Sequence, residues 1–146
     1  MKELHAEIEI QASVERVWQL LTDFEKFPEW NPFLRRASGR IAAGAKLKVF
    51  MQPSGASGIT MRPKVVKVEP PRELRWLGHL LVPGLFDGEH AFIIEALGPG
   101  RVRFVQREVF TGILVPLFAR MLDASTKRGF LEMNQALKSR AERSAK

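Results

Sequence analysis

The first residues of the chain alternate. Leu4, Ala6, Ile8 and Ile10 are apolar, while His5, Glu7 and Glu9 between them are polar. A period of two over this length predicts a strand with one buried face. Ser13 then precedes Val14-Glu15-Arg16, a sequence suited to a helix N-cap. Val14, Val17, Trp18 and Leu21 recur at helical spacing, which predicts a short amphipathic helix. Asp23 is placed to cap a second short turn ending before Pro28. In Phe27-Pro28-Glu29-Trp30-Asn31-Pro32-Phe33 the prolines forbid a continuous helix, while the aromatic rings call for burial. A packed loop leading into a sheet is expected there.

From Leu34 the pattern is a meander. Candidate strands are Leu34–Arg40, Lys46–Met51, Ile59–Glu69, Glu73–His79, Glu89–Leu97 and Arg101–Phe110. Ala43-Gly44, Pro53-Ser54-Gly55, Pro70-Pro71 and Gly98-Pro99-Gly100 supply the turns between them. Leu80–Gly88 reads as a loop or bend at the sheet's edge. Connections this short make antiparallel neighbours.

The period then lengthens. Phe118, Met121, Leu122, Ser125, Gly129, Phe130, Met133, Ala136 and Leu137 share one helical face, and Arg120, Lys127, Arg128, Glu132, Lys138 and Glu142 lie largely on the other. One helix from about Val115 to about Arg143 is predicted. A single helix cannot cover a flat sheet of about seven strands, and sheets of that size twist and curl. The curled sheet should grip the helix and leave a pocket between the two.

Composition narrows this picture. The chain has 146 residues, 45% hydrophobic and 27% charged, ordinary values for one globular domain over 1–146. It has no cysteine, which excludes disulfides and thiolate zinc sites. His5, His79 and His90 sit on different candidate strands without metal-ligand spacing, so no metal and no cofactor is expected. Acidic residues stand in the first residues where a signal peptide needs an apolar run, and the most apolar stretch, Phe110 to Leu122, is interrupted by Gly112, Pro116 and Arg120. A cytoplasmic protein without stable membrane insertion, monomeric or homodimeric, is the expectation. The formal net charge of +7 raises the possibility of an anionic partner. Its basic residues are spread along the chain, with a modest concentration on the last helix (Lys127, Arg128, Lys138, Arg140, Arg143, Lys146), so a solvated basic surface is expected and not nucleic-acid binding.

Several motifs follow one another in a specific order. They are the Phe27–Phe33 segment, Pro63 with Val65, Pro70-Pro71 followed by Leu74-Arg75-Trp76, His90-Ala91-Phe92, Arg107-Glu108-Val109-Phe110-Thr111-Gly112-Ile113-Leu114, and the terminal Met133-Asn134-Gln135-Ala136-Leu137-Lys138. Together with the element order they resemble the START/SRPBCC superfamily, and within it the polyketide cyclase/dehydrase-like branch found in bacteria. The resemblance implies an α+β helix-grip fold: a curved antiparallel sheet wrapped around a long C-terminal helix, with two short helices after the first strand. It leaves function open, because the superfamily holds lipid carriers, plant hormone receptors, cyclases and chaperone-activating domains.

Alternation points His90, Phe92 and Ile94 inward, and on the last strand Val102, Phe104, Gln106, Glu108 and Phe110. An inward carboxylate is costly unless hydrogen-bonded, protonated or paired. His90 and Glu108 are therefore either polar anchors for a ligand or an acid/base pair; the plain alternative is a satisfied core histidine and a carboxylate fixing a strand end. Trp30 and Trp76 suit stacking on a ring-bearing ligand, though both also suit core packing. Met51, Met61, Met121 and Met133 offer adaptable apolar surface. Phe33 and Ser125 complete the candidate lining, and Gly129 would let the helix approach the sheet or leave room for a ligand. Binding or transport of a hydrophobic, lipid-like or aromatic molecule is the first reading. A cyclase or dehydratase using His90 and Glu108 is the second. The resemblance implies that cyclases of this kind use pocket Arg, Tyr or Trp groups, and the absence of tyrosine here counts against it. A chaperone-activating interaction module is the third.

Overall fold

The computed structural model describes residues 1–80 and 82–144; Lys146, expected on the last helix, lies outside them. Eight strands occur: β1 (Lys2–Ile10), β2 (Leu34–Ser38), β3 (Lys48–Met51), β4 (Ile59–Met61), β5 (Lys64–Glu69), β6 (Glu73–His79), β7 (Asp87–Gly98) and β8 (Arg101–Thr111). They form a five-stranded sheet in the order β1-β8-β7-β6-β5 and a three-stranded sheet β2-β3-β4, antiparallel throughout. Between β1 and β2 lie α1 (Val14–Thr22), a 3₁₀ turn (Phe24–Lys26) and the single helical turn α2 (Phe27–Trp30). After β8 come α3 (Val115–Met121), a π-helical turn (Leu122–Thr126) and α4 (Lys127–Ser144).

Local chemistry accounts for most of these boundaries. The Ser13 hydroxyl accepts a hydrogen bond from the Arg16 amide at 3.1 Å, so α1 has the expected N-cap. Asp23 precedes the 3₁₀ turn but makes no side-chain cap. Pro28 does not end a helix as expected. It sits in the first turn of α2, where an amide would have no intrahelical partner and the ring does no harm. The Asn31 side-chain oxygen then accepts from the Phe33 and Leu34 amides at 3.0 and 2.9 Å and turns the chain into β2.

Two expected elements divide. Ile59–Glu69 was one strand by pattern, yet β4 pairs with β3 while β5 pairs with β6. Pro63, lacking an amide hydrogen, stands at the break. Its carbonyl still accepts from the Leu47 amide at 2.8 Å, and with the Lys46–Lys64 bridge this joins the two sheets. With β1, the described residues thus make eight strands in two sheets instead of about seven in one. The C-terminal helix also breaks, because the π turn inserts an extra residue and rotates α3 relative to α4.

α4 buries Phe130, Met133, Leu137 and Ala141 against the sheet. Its flank covers the free edge of β1, where Lys138 donates to the Glu9 carbonyl at 3.0 Å and Glu142 accepts from the Gln11 amide at 2.8 Å. An exposed strand edge is thereby closed to further pairing. The outward face of the five-stranded sheet is a charge ladder: Arg107 pairs with Glu3, Arg103 with Glu7 and Glu95, and Arg75 with Glu73 and Glu89. Burial pushes the Glu73 carboxyl up, but hydrogen bonds from Arg75 and Lys67 outweigh it and hold the group below the usual carboxylate range.

Candidate functional site

The register of the central strands sets the floor of the site. β6, β7 and β8 align Trp76, His90 and Glu108 in one cross-strand row, and Gly78, Gly88 and Phe110 in the next. The pairing runs without a shift from Asp87 to Ala96, so Glu108 shares the inner face with His90 and Gln106. All three are buried, at 7%, 3% and 0% exposure. Gly78 and Gly88 lie directly opposite each other, and their missing side chains make room on the inner face for the Met61 methyl and the Glu108 carboxyl group.

Above this floor is a cavity of about 370 Å³, within the range of small-molecule sites. Met51, Ile59 and Met61 from the three-stranded sheet form one wall. Leu80, Phe86 and Phe110 form another, and Phe118, Met121, Leu122 and Thr126 close it from the helical side. A narrow inner recess of about 20 Å³ continues it toward Leu34, Val49, Trp76 and His90. Glu108 is the only ionisable side chain lining the main cavity, and no Lys or Arg lines either space among the described residues. A second, more open hollow of about 440 Å³ lies against β2 and β3, with Glu25, Arg36 and Lys48 in its lining. It is a charged surface cleft.

A chain of polar groups runs from the cavity into the core. Gln106 Nε2 donates to Asn134 Oδ1 at 2.8 Å and to the Phe130 carbonyl at 3.3 Å. A carbonyl can only accept, so the Gln106 amide nitrogen faces α4 and its oxygen faces His90. That oxygen is 3.0 Å from His90 Nε2, which must then carry a hydrogen. His90 Nδ1 lies 3.3 Å from Glu108 Oε1. This is an ion-pair distance, and a proton shared across it gives imidazole with carboxylic acid or imidazolium with carboxylate. The pair with that proton is neutral in either arrangement. The ring is held by Phe92, stacked on it at 4.2 Å, with Trp76 edge-on at 5.8 Å.

The other Glu108 oxygen, Oε2, lies over Gly88 where a Cβ would otherwise sit. It has no hydrogen-bond partner among the described residues, although the side chain is 9% exposed. Any larger residue at position 88 would collide with the carboxylate.

The remaining candidates divide by location. Met51, Met61, Phe110 and Met121 line the cavity, and Trp76 lines the recess. Phe92, Gln106 and Met133 are buried behind the lining. Trp30 packs edge-on against Phe27 at 5.4 Å and is not part of the wall. Phe33 is fully buried against Phe130, and its ring fills the space beside Gly129, so neither of these two reaches the cavity. Ser125 is displaced in favour of Thr126, because the π turn shifts the helical face. Phe86 and the meeting of Gly78 with Gly88 were not foreseen, and Phe118, expected on the helix's inner face, joins the lining. The glycines had a signal, since both fall at inward positions of their strands; Phe86 sits in a loop where periodicity says nothing.

The fold and this lined hollow define a helix-grip protein with an internal apolar cavity. The family model described as polyketide cyclase / dehydrase and lipid transport matches residues 1–142, and the chain belongs to that family. Among solved structures it is similar to the Zhui aromatase/cyclase from Streptomyces sp. R1128, at 16% identity and TM-score 0.77 over 99% of this chain and 96% of that one. It is similar to a START superfamily protein from Mycobacterium smegmatis, at 20% identity and TM-score 0.74 over 97% of each chain. Protein MLL2253 from Mesorhizobium loti matches at 18% identity and TM-score 0.75 over 98% of each. At these identities the likeness is one of fold. No curated protein matches the sequence.

Proposed function

We propose that this protein binds a hydrophobic small molecule in the cavity between the central strands and α3, as a carrier or receptor and not as a catalyst. The observation behind the reading is the makeup of the cavity: apolar and methionine-rich walls around a single carboxyl group. Family membership, which spans lipid transport and polyketide cyclisation, is in keeping with it. Catalysis by general acid and base calls for a second titratable group free to reach the substrate. His90 is not free, because both its nitrogens face protein partners.

The cyclase reading has one observation in its favour: His90 and Glu108 both border the inner recess and form a carboxyl–imidazole pair. Glu108→Gln separates the two. An amide cannot exchange the proton of an acid/base pair, but it keeps an oxygen for hydrogen bonding.

The binding reading is tested with Nile red, a neutral apolar dye whose fluorescence rises out of water. Saturable uptake by the wild type is expected, together with loss of uptake in Thr126→Trp, where an indole would fill the space now bordered by Thr126. Absence of uptake by the wild type, or unchanged uptake by Thr126→Trp in a folded protein, would sink it. Native mass spectrometry of gently purified protein then identifies any retained compound.

A further inference from the structure

We infer that the cavity selects a neutral hydrophobic molecule carrying a hydroxyl group, and that it rejects carboxylates and other anions; this rests on the binding function proposed above.

The inference follows from which Glu108 oxygen faces the ligand and what that atom can do. Oε1 is turned to His90 Nδ1. Oε2 lies over Gly88 and is the oxygen left to the cavity. A proton shared by the pair lies on the Oε1 side in both arrangements. If Glu108 is ionised, Oε2 is a carboxylate oxygen. If Glu108 is protonated toward His90, Oε2 is the carbonyl oxygen of the acid. It is an acceptor in each case. A ligand therefore satisfies this unpartnered carboxyl oxygen only by donating a hydrogen bond, as an alcohol or phenol does.

Charge works in the same direction. The formal net charge is +7, yet no Lys or Arg lines the cavity or its recess among the described residues. An anionic head group brought to Oε2 would meet an acceptor with no cation to offset its desolvation, which is the costly situation for a buried ion. Ser57 and Thr126, the remaining polar side chains of the lining, are uncharged. The basic character of the molecule lies on its surface and has no part in the selection.

The test is displacement of Nile red from the wild-type protein at neutral pH by decanol, decanoate and methyl decyl ether, which share an apolar chain. Decanol is expected to bind at least about tenfold tighter than decanoate and than the ether, the worth of one good hydrogen bond to such a group. Glu108→Leu should abolish the advantage of decanol over the ether. Glu108→Gln should retain it, because its amide nitrogen can donate to His90 Nδ1 and leave the oxygen facing the cavity. Equal or tighter binding of decanoate to the wild type overturns the inference, as does a preference for decanol that survives Glu108→Leu. If none of the three displaces a dye that does bind, this inference fails while the cavity stands. If no dye binds at all, both fail together. The wild-type series decides the matter even where a variant does not fold.

Discussion

Gln106 organises the polar interior. Its side chain is fully buried and joins strand β8 to helix α4 through Asn134 and the Phe130 carbonyl, while its oxygen sets which nitrogen of His90 carries hydrogen. Replacing it by leucine keeps the approximate volume but strands the buried His90 imidazole N–H and the Asn134 side-chain oxygen. Each unsatisfied group costs about 1–3 kcal/mol, so Gln106→Leu should lower unfolding stability by about 2–6 kcal/mol, read from the denaturant midpoint. Gly88→Ala belongs to the same scale. Its Cβ would push the Glu108 carboxylate from its place over Gly88. The expected result is a folded protein that still takes up Nile red but no longer prefers decanol over the ether. Glu73, on the opposite face of the sheet, shows the pH dependence of an ordinary ion pair. Its carboxyl is held below the usual range by Arg75 and Lys67. That stability is present above the unfolded carboxylate's titration and is lost as pH falls through the lower, folded one. Glu73→Gln should therefore flatten the acid limb of a stability profile measured by denaturant unfolding.

At the scale of elements, the junction of α3 and α4 decides the cavity. The π turn lets Leu122 and Thr126 face the hollow while α4 continues in register with the core. π-helical turns often coincide with functional sites. Gly129, one turn further on, tests how closely α4 is packed. The Phe33 ring occupies the space where a Cβ would stand. Alanine would gain about 1 kcal/mol in helix propensity over glycine, but overpacking a tight contact costs about 1–3 kcal/mol. Packing should win, and Gly129→Ala is expected to destabilise the protein in thermal and denaturant unfolding. A stabilised variant would mean that Phe33 can move aside.

For the whole molecule, the two sheets and α4 form a shell whose outside is charged and whose inside is largely apolar, with the Glu108–His90–Gln106–Asn134 chain, Asn31 and Thr126 as its buried polar side chains among the described residues. A ligand that binds only the folded state must stabilise it. At a free concentration one hundred times Kd the gain is about 2.7 kcal/mol. For a chain of this size that corresponds to a rise in Tm of roughly 5–10 °C. Decanol near saturation should produce that shift and methyl decyl ether at the same concentration a smaller one, by differential scanning calorimetry. No helix among the described residues is long and apolar enough to cross a membrane.

Much of the architecture is written into local pattern. The period of two in β1, β7 and β8 assigned the inward faces, including His90, Gln106 and Glu108, because a strand without a bulge leaves each side chain only two directions. Ser13 as a cap and the helical face of α4 follow equally from neighbouring residues. Other features depend on partners distant in the chain. Whether Trp30 and Phe33 meet the cavity or the core is decided by what packs over them: Phe33 is in the core, and Trp30, partly buried, packs against it. The division at Pro63 into two sheets and the meeting of Gly78 with Gly88 depend on pairing between strands, and the π turn exchanged Ser125 for Thr126. Sequence alone determined which side chains of the regular strands turn inward, since that is a property of one strand. Only the tertiary structure decided where the inside is left empty, since a cavity is made by elements that fail to touch.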